Sequence, residues 1–509
     1  MATGPDASKV RARRTIAAEG LVVAPGFIDL HTHVDFTIPA YPRALAMVRQ
    51  GVTTLVAGNC GSTPFPVRPD HRRELREATA FHGDVLDWEW EDASGYLATL
   101  DRASLACNVA LLVGHGATRI AVMGFERRAP RAAELEEMRG LVAGAFEAGV
   151  FGLSSGLSYA PACYAAADEV VALAEVAHRF GGFYATHVRN EADGLIEAVR
   201  EAIAIGAEAR VPVEISHLKV LERRNWGQVE QALELIDQAR ASGQDVRADQ
   251  YPYDASSTTL LTTVPRWALA DGVEGLQARL AEPAVRARLR EEILGTSPSV
   301  QRGAYDFLPQ NILLGHVPDG PDADLEGQRL SEAARTRGAE PVDLLLDLLA
   351  RNGGLIETVT DGRIAEDDVR RVMSHPMVAV ASDGWTLDPS AGGRPHPRSY
   401  GTFVRVLGRY VRDAQLLSLE AAVRKMSALP ASLLGLSDRG LLRRGAKADL
   451  VVFDPSTVRD DATYEDPHRF AVGIRAVIVN GQVVIDDGVD TGVPAGTVLR
   501  HVRPSGRRR

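Results

Sequence analysis

The sequence predicts an α/β protein built on a TIM (β/α)8 barrel, and three observations carry that expectation. Short apolar runs alternate with longer amphipathic stretches, the mark of parallel βα units rather than an all-β sandwich. The runs number eight: "GFIDL", "VTTLVAG", "NVALLV", "VFGLSS", "GFYAT", "VEIS", "DVRADQYPY" and "MVAVAS". Reactive side chains stand just past several of them, where a parallel barrel carries its chemistry. An open doubly wound sheet is the competing topology for the same alternation.

The first run leads into "HTH", which places His31 and His33 on alternate positions of an extended chain, both able to face the mouth. The second is β-branched and stops at Gly58-Asn59, followed by Cys60. Alone, such a cysteine reads as a small buried hydrophobe. The fourth contains "GLSSG", which fits the G-x-S-x-G pattern and offers Ser154 as the nucleophile of a rival serine hydrolase. His187 follows the fifth run, and His217, with Lys219 two residues on, follows the sixth. Between these lie the helical stretches "EADGLIEAVREAIAIGAEA" and "NWGQVEQALELIDQARASG". In the second, Val229, Leu233 and Ile236 share one face, as core residues do. More than 100 residues separate the seventh run from the eighth, which ends at Asp383. A connection of that length implies an inserted, lid-like subdomain at about residues 258–345. Beyond residue 435, "RGLLRRGAKADLVVFDP" and "AVIVNGQVVIDDG" are short strands, the latter a hairpin around Asn480-Gly481. The expected organisation is a barrel over residues 25–435 and a small β-sandwich from residues 1–24 and 436–509.

Composition narrows the class. The 509 residues are 45% apolar and 24% charged, with a formal net charge of −10. No long basic face is present, which argues against nucleic acid as a partner. No apolar run reaches the roughly 18–20 residues of a membrane span. Three cysteines, Cys60, Cys107 and Cys163, do not make a disulfide framework, so a cytoplasmic protein is expected, monomer or homo-oligomer, with a small-molecule substrate. Arginine dominates the positive charge; the only lysines are Lys9, Lys219, Lys425 and Lys447.

Imidazole, thiolate and carboxylate are all zinc ligands. One histidine at a strand end is most simply a hydrogen-bonded core residue. His31, His33, Cys60, His187, His217 and Asp383 at equivalent strand ends make a metal site the better reading of the set.

"PGFIDLHTH" resembles the first-strand motif of the amidohydrolase superfamily, metal-dependent hydrolases on a TIM barrel. "GVTTLVAGNCG", "HVRNE", "EISHLKV", "ASDG" and "HPRSYGTFVRVLGRYV" resemble, in order, the D-aminoacylase (N-acyl-D-amino-acid deacylase) branch. The resemblance spans about Leu21 to Pro455. It implies zinc-dependent hydrolysis of N-acyl-D-amino acids, with one zinc held tightly by Cys60, His187 and His217. It further implies a second, weaker position at His31, His33 and Asp383, with Asp383 the general base and then acid. Lys219, Tyr251, Ser257 and Arg398 match the family's contacts to the substrate carboxylate, with Tyr253 competing with Tyr251 and Arg394 with Arg398. Many superfamily members place a carboxylated lysine after strand four; "VFGLSSGLSYAP" offers none. That absence also separates the chain from the alternative of a cyclic amide hydrolase of the hydantoinase or dihydroorotase kind, which usually retains the lysine. A non-catalytic binding protein on the same fold would be expected to lose members of the ligand set. Fewer residues precede the first histidine motif than the family usually carries, so either the start is misplaced or the small domain is incomplete.

Overall fold

A computed structural model describes residues 14–80, 85–296 and 306–503; the ends of the expected small domain, residues 1–13 and 504–509, lie outside the described residues. All eight apolar runs form strands of one parallel sheet, in the order in which they occur. They are Phe27–Asp29, Val52–Ala57, Asn108–Gly114, Gly152–Gly156, Phe183–His187, Val213–Ile215, Val246–Gln250 and Val378–Val380. The doubly wound alternative therefore gives way to a barrel. The first and eighth strands approach each other only at their C-terminal ends. There Thr32 bridges Gly384 in parallel, Asp383 N donates to His31 O at 2.8 Å, and His33 N donates to Gly384 O at 2.9 Å. The barrel is thus distorted and closes at the level of its reactive residues.

Helices cover the sheet because their apolar residues recur at three- and four-residue spacing. In Leu195–Ala209 the buried positions are Leu195, Ile196, Ala198, Val199, Ala202, Ile205, Gly206 and Ala209. At Gly206 a Cβ would lie 2.0 Å from Val213 Cγ2, so only glycine lets this helix sit so close to the sixth strand. Helix Val229–Ala241 buries Val229, Leu233 and Ile236, as their spacing predicted.

Between the seventh and eighth strands the chain builds a three-stranded antiparallel sheet from Ser256–Thr259, Ile312–His316 and Glu357–Thr360. Helices Gly272–Leu280, Pro283–Ile293, Leu330–Arg337 and Pro341–Asn352 pack there around a separate apolar core that includes Leu276, Leu314 and Leu345. Val22–Pro25 joins Leu450–Phe453, Ile474–Val479, Gln482–Asp486 and Val489–Asp490 in a five-stranded antiparallel sheet from the two ends of the chain. Its residues alternate between two apolar clusters, which gives a small β-sandwich-like unit. Val451, Phe453, Val477 and Val479 join the main core, while Leu450, Val452, Ala476 and Ile478 pack with Leu21 and Val23. Among the described residues, no helix is long and apolar enough to cross a membrane.

Candidate metal centre and substrate cavity

The barrel mouth gathers the six predicted metal-binding side chains, three of them by a shared backbone device. Cys60, His217 and Asp383 have φ values of 53°, 36° and 53°, left-handed conformations that side-chain-bearing residues rarely adopt. At each, the chain turns off its strand instead of continuing along it. At Cys60 the turn is flanked by Gly58 and Gly61, both at positive φ, and Asn59 Nδ2 donates to Val56 O at 3.2 Å. Ser154 braces this turn: its hydroxyl donates to Gly58 O and accepts from Gly61 N at 3.0 Å. Fully buried in mid-strand, Ser154 is committed to backbone and has no place as a nucleophile. The missing strand-four lysine also has a steric counterpart. A Cβ at Gly156 would lie 2.2 Å from Cys60 O, so Cys60 occupies the space that a side chain there would need.

The Cys60 sulfur lies 3.4 Å from His31 Nε2, 3.8 Å from His187 Nδ1 and 3.5 Å from His217 Nε2. Zn–S and Zn–N bonds of about 2.3 and 2.0–2.1 Å give a tetrahedral S···N edge of about 3.6 Å, so this donor set fits zinc. Three overlapping groups of donors lie mutually within 4.8 Å: His31, His33 and Cys60; Cys60, His187 and His217; and His31, His217 and Asp383. Asp383 Oδ1 is 3.5 Å from His31 Nε2 and 3.1 Å from His33 Nε2. Burial by itself would raise the Cys60 thiol, but the imidazoles of His31 and His217 hold it well below the usual thiol range. Burial likewise opposes ionisation of Asp383, and Arg398, His31 and His33 overcome it, holding the carboxyl well below its ordinary value.

Two carboxylates behind these ligands were not picked out from the sequence. Asp249, on the seventh strand, lies 3.1 Å from His31 Nδ1 and accepts from His217 N at 2.7 Å. It thereby orients one imidazole and one backbone turn, and leaves His31 Nε2 directed at Cys60. Glu191 lies 3.0 Å from His217 Nδ1, 3.5 Å from His187 Nε2 and 2.5 Å from Lys219 Nζ. Its signal was its place four residues after His187 in "HVRNE"; for Asp249 it was a lone acid inside a strand.

A cavity of about 650 Å³ opens above the cluster. Every predicted site residue except His31 lines it; His31 is wholly buried beneath. Lys219 is ion-paired with Glu191, and Ser257 Oγ donates to Glu357 Oε1 at 2.7 Å. Arg398 Nη1 lies 2.8 Å from Asp383 Oδ2, with its guanidinium over the Tyr251 and Trp385 rings at 5.0 and 5.4 Å. The two open choices separate cleanly in space. Tyr251 is on the cavity, whereas Tyr253 packs beneath Arg405 at 4.5 Å and against His396. Arg398 is almost fully buried in the cavity wall, whereas Arg394 is exposed, its backbone N–H donating to Gly315 O. His396 holds Arg398 in place, accepting from its N–H at 3.0 Å, with its other ring nitrogen 3.1 Å from Ala255 O.

Comparison with known proteins agrees with this geometry. The model of the Amidohydrolase family matches residues 14–485. A D-aminoacylase of Alcaligenes xylosoxydans xylosoxydans is 36% identical over 498 residues, 97% of this chain and 90% of that protein. An N-acyl-D-aspartate deacylase of the same organism is 38% identical over 94% of this chain and 84% of its own. The crystal structure of an N-acyl-D-glutamate deacylase from Bordetella bronchiseptica, complexed with zinc and a phosphonate mimic of the tetrahedral intermediate, superposes with a TM-score of 0.79. It is 36% identical and covers 95% of this chain and 90% of that one.

Proposed function

Because the chain belongs to the amidohydrolase family, in its D-aminoacylase branch, we propose that it hydrolyses the amide bond of N-acyl-D-amino acids in a zinc-dependent reaction. The products are a carboxylic acid and a free D-amino acid. The observation that carries this reading is the Cys60 sulfur ringed by three imidazoles at 3.4–3.8 Å, on the floor of a cavity walled by Arg398 and Tyr251. Three buried free cysteines and no disulfide suit a reducing, cytoplasmic setting.

Cys60, His187 and His217 would hold the tight zinc, and His31, His33 and Asp383 a second, weaker one. When bound, zinc supplies Lewis acidity and a water whose pKa falls toward about 7. Asp383 takes a proton from the attacking water and returns it to the departing amine nitrogen as the C–N bond breaks. Its ionisation at neutral pH is secured by Arg398 at 2.8 Å. Arg398 also offers a planar fork to the substrate carboxylate, which competes with Asp383 for the guanidinium. Tyr251 brings a buried hydroxyl to the same wall, and Ser257 adds a partly buried one that donates to Glu357. Lys219 contributes its charge from behind, shared with Glu191.

The test is a panel of N-acetyl-D- and N-acetyl-L-amino acids assayed before chelation, after it, and after zinc is returned. Hydrolysis of the D series, lost on chelation and restored by zinc, is the expected result. Equal hydrolysis of the L series, or indifference to the chelator, would overturn the reading.

A further inference from the structure

The cavity has two unlike sides. Lys219, Tyr251 and Arg398 follow strands six, seven and eight, and the strand order places strand three across the barrel from strand seven. On that far side, helix His115–Met123 follows strand three, and Ala117 N donates to Gly61 O at 3.0 Å. Its first turn therefore abuts the turn that carries Cys60. Ile120, one turn on, and Phe125, just past the helix, continue the wall outward, joined by Leu75 and Ala78 of helix Arg72–Thr79.

The chain between strands seven and eight roofs this side. Trp267 faces the cavity, and a Cβ at Gly272 would touch Phe125 at 3.4 Å. The roof is tied down by the Arg73–Glu274 ion pair and by Tyr164 Oη donating to Arg266 O at 2.8 Å. Charged groups in this part of the wall are turned onto protein: Arg127 lies over the Tyr164 ring at 5.8 Å, Arg266 donates to Arg189 O at 2.8 Å, Arg363 donates to Asp306 O at 2.8 Å, and Glu292 accepts from Trp267 Nε1 at 2.8 Å. The result is a roofed, mainly apolar chamber that begins beside Cys60 and leads away from the cationic wall.

Resting on the deacylase reading above, we infer that this chamber receives the acyl group, and that the enzyme prefers medium-chain linear acyl groups to acetyl. The substrate's connectivity sets the direction. Its carboxylate and side chain both branch from Cα, on the amine side of the scissile bond. With the carboxylate at Arg398 and the carbonyl above the donor cluster, the acyl tail must leave on the opposite side. An N-acetyl amino acid carries a single methyl group there. The cavity's 650 Å³ falls within the range of about 300–1,000 Å³ that encloses far larger ligands. Hydrolysis is otherwise unchanged: water gives its oxygen to the acyl carbon and a proton to the amine nitrogen, releasing a fatty acid and the amino acid.

The test compares kcat/KM of the full-length zinc-loaded enzyme for N-acetyl-D-alanine, N-octanoyl-D-alanine and N-acetyl-D-phenylalanine. Each buried methylene is worth roughly fourfold, so the octanoyl substrate is expected to exceed acetyl by at least about tenfold. Octanoate is expected to inhibit competitively at lower concentration than acetate. Ala78→Trp, at a partly buried wall position, should abolish the octanoyl advantage while leaving N-acetyl-D-alanine within about twofold of wild type. Equal values for acetyl and octanoyl would overturn the inference. So would a gain for the phenylalanine substrate without one for octanoyl, since the chamber would then belong to the side chain. If no N-acyl-D-amino acid is hydrolysed, the deacylase reading fails and takes this inference with it.

Discussion

Both ends of the barrel bury a cysteine and a lysine (the mouth a second cysteine, Cys163, as well), and Cys60 and Lys219 at one end are in the opposite state to Cys107 and Lys425 at the other. Cys60 and Lys219 stand at the mouth; Cys107 precedes strand three and Lys425 underlies the start of strand eight, both at the base. Burial is nearly matched, with Lys219 7% and Lys425 3% exposed. Their partners differ. Burial depresses both ammonium groups, but Glu191 more than reverses this for Lys219 and pushes it above its ordinary value. Among the described residues, Lys425 donates only to the carbonyls of His375 and Val378, and burial, with Arg424 adding to it, brings it down to about 7. Burial pushes the Cys107 thiol up to about 12, whereas the imidazoles around Cys60 bring that thiol down. Depth alone therefore does not make a reactive group; the charges placed around it do.

The sharpest test of this contrast exchanges the cysteines one at a time. Cys60→Ala is expected to lose bound zinc, measured by elemental analysis, and to lower kcat/KM by about 10³-fold or more. Cys107→Ala should keep its zinc and its rate, and lose only about 1 kcal/mol of stability as a small cavity forms in the core. A Cys60→Ala enzyme with full zinc content and rate would erase the distinction.

Glu191 separates the two lysines, so removing its charge should make the mouth resemble the base. Glu191→Gln is expected to lower kcat/KM by about 10–100-fold, with zinc retention weakened, because it orients His217 and His187. A drop in melting temperature with zinc affinity unchanged would assign it a purely structural role.

The smallest effect concerns stability against pH. Lys425 titrates near 7 when folded and about 10.4 when unfolded, so the unfolded chain binds the extra proton between those values. Its cost is fully present below pH 7 and is relieved as pH rises toward about 10.4. Lys425→Met should therefore gain on wild type by an amount that is constant below pH 7 and shrinks above it, followed by denaturant midpoint. A difference independent of pH from 6 to about 10 would show that Lys425 keeps its charge inside the fold.

The barrel and the gathering of donor side chains at its mouth were legible because each depends on local pattern. Eight β-branched or apolar runs, most of them followed by helical periodicity, admit few arrangements; His187 ends its strand, and His31, Cys60, His217 and Asp383 stand just past theirs. The second tier was not legible. Asp249 reaches His31 across 218 residues of chain and Glu357 reaches Ser257 across 100, and no spacing rule connects such positions. The antiparallel sheet between strands seven and eight escaped for a similar reason, since its strands "SSTT", "ILLGH" and "ETVT" are short, and two of the three are largely polar.

The sequence by itself determined the order of the strands, the placement of donor residues at their ends and the absence of a strand-four lysine, because these follow from periodicity and identity along the chain. Only the tertiary structure showed that Tyr251 and Arg398, rather than Tyr253 and Arg394, line the cavity, and that the Ser154 hydroxyl braces the Cys60 turn. Those choices turn on which way a side chain faces once the barrel closes and what charge or carbonyl it then meets. Such contacts join residues far apart in sequence and form only when the whole sheet is assembled.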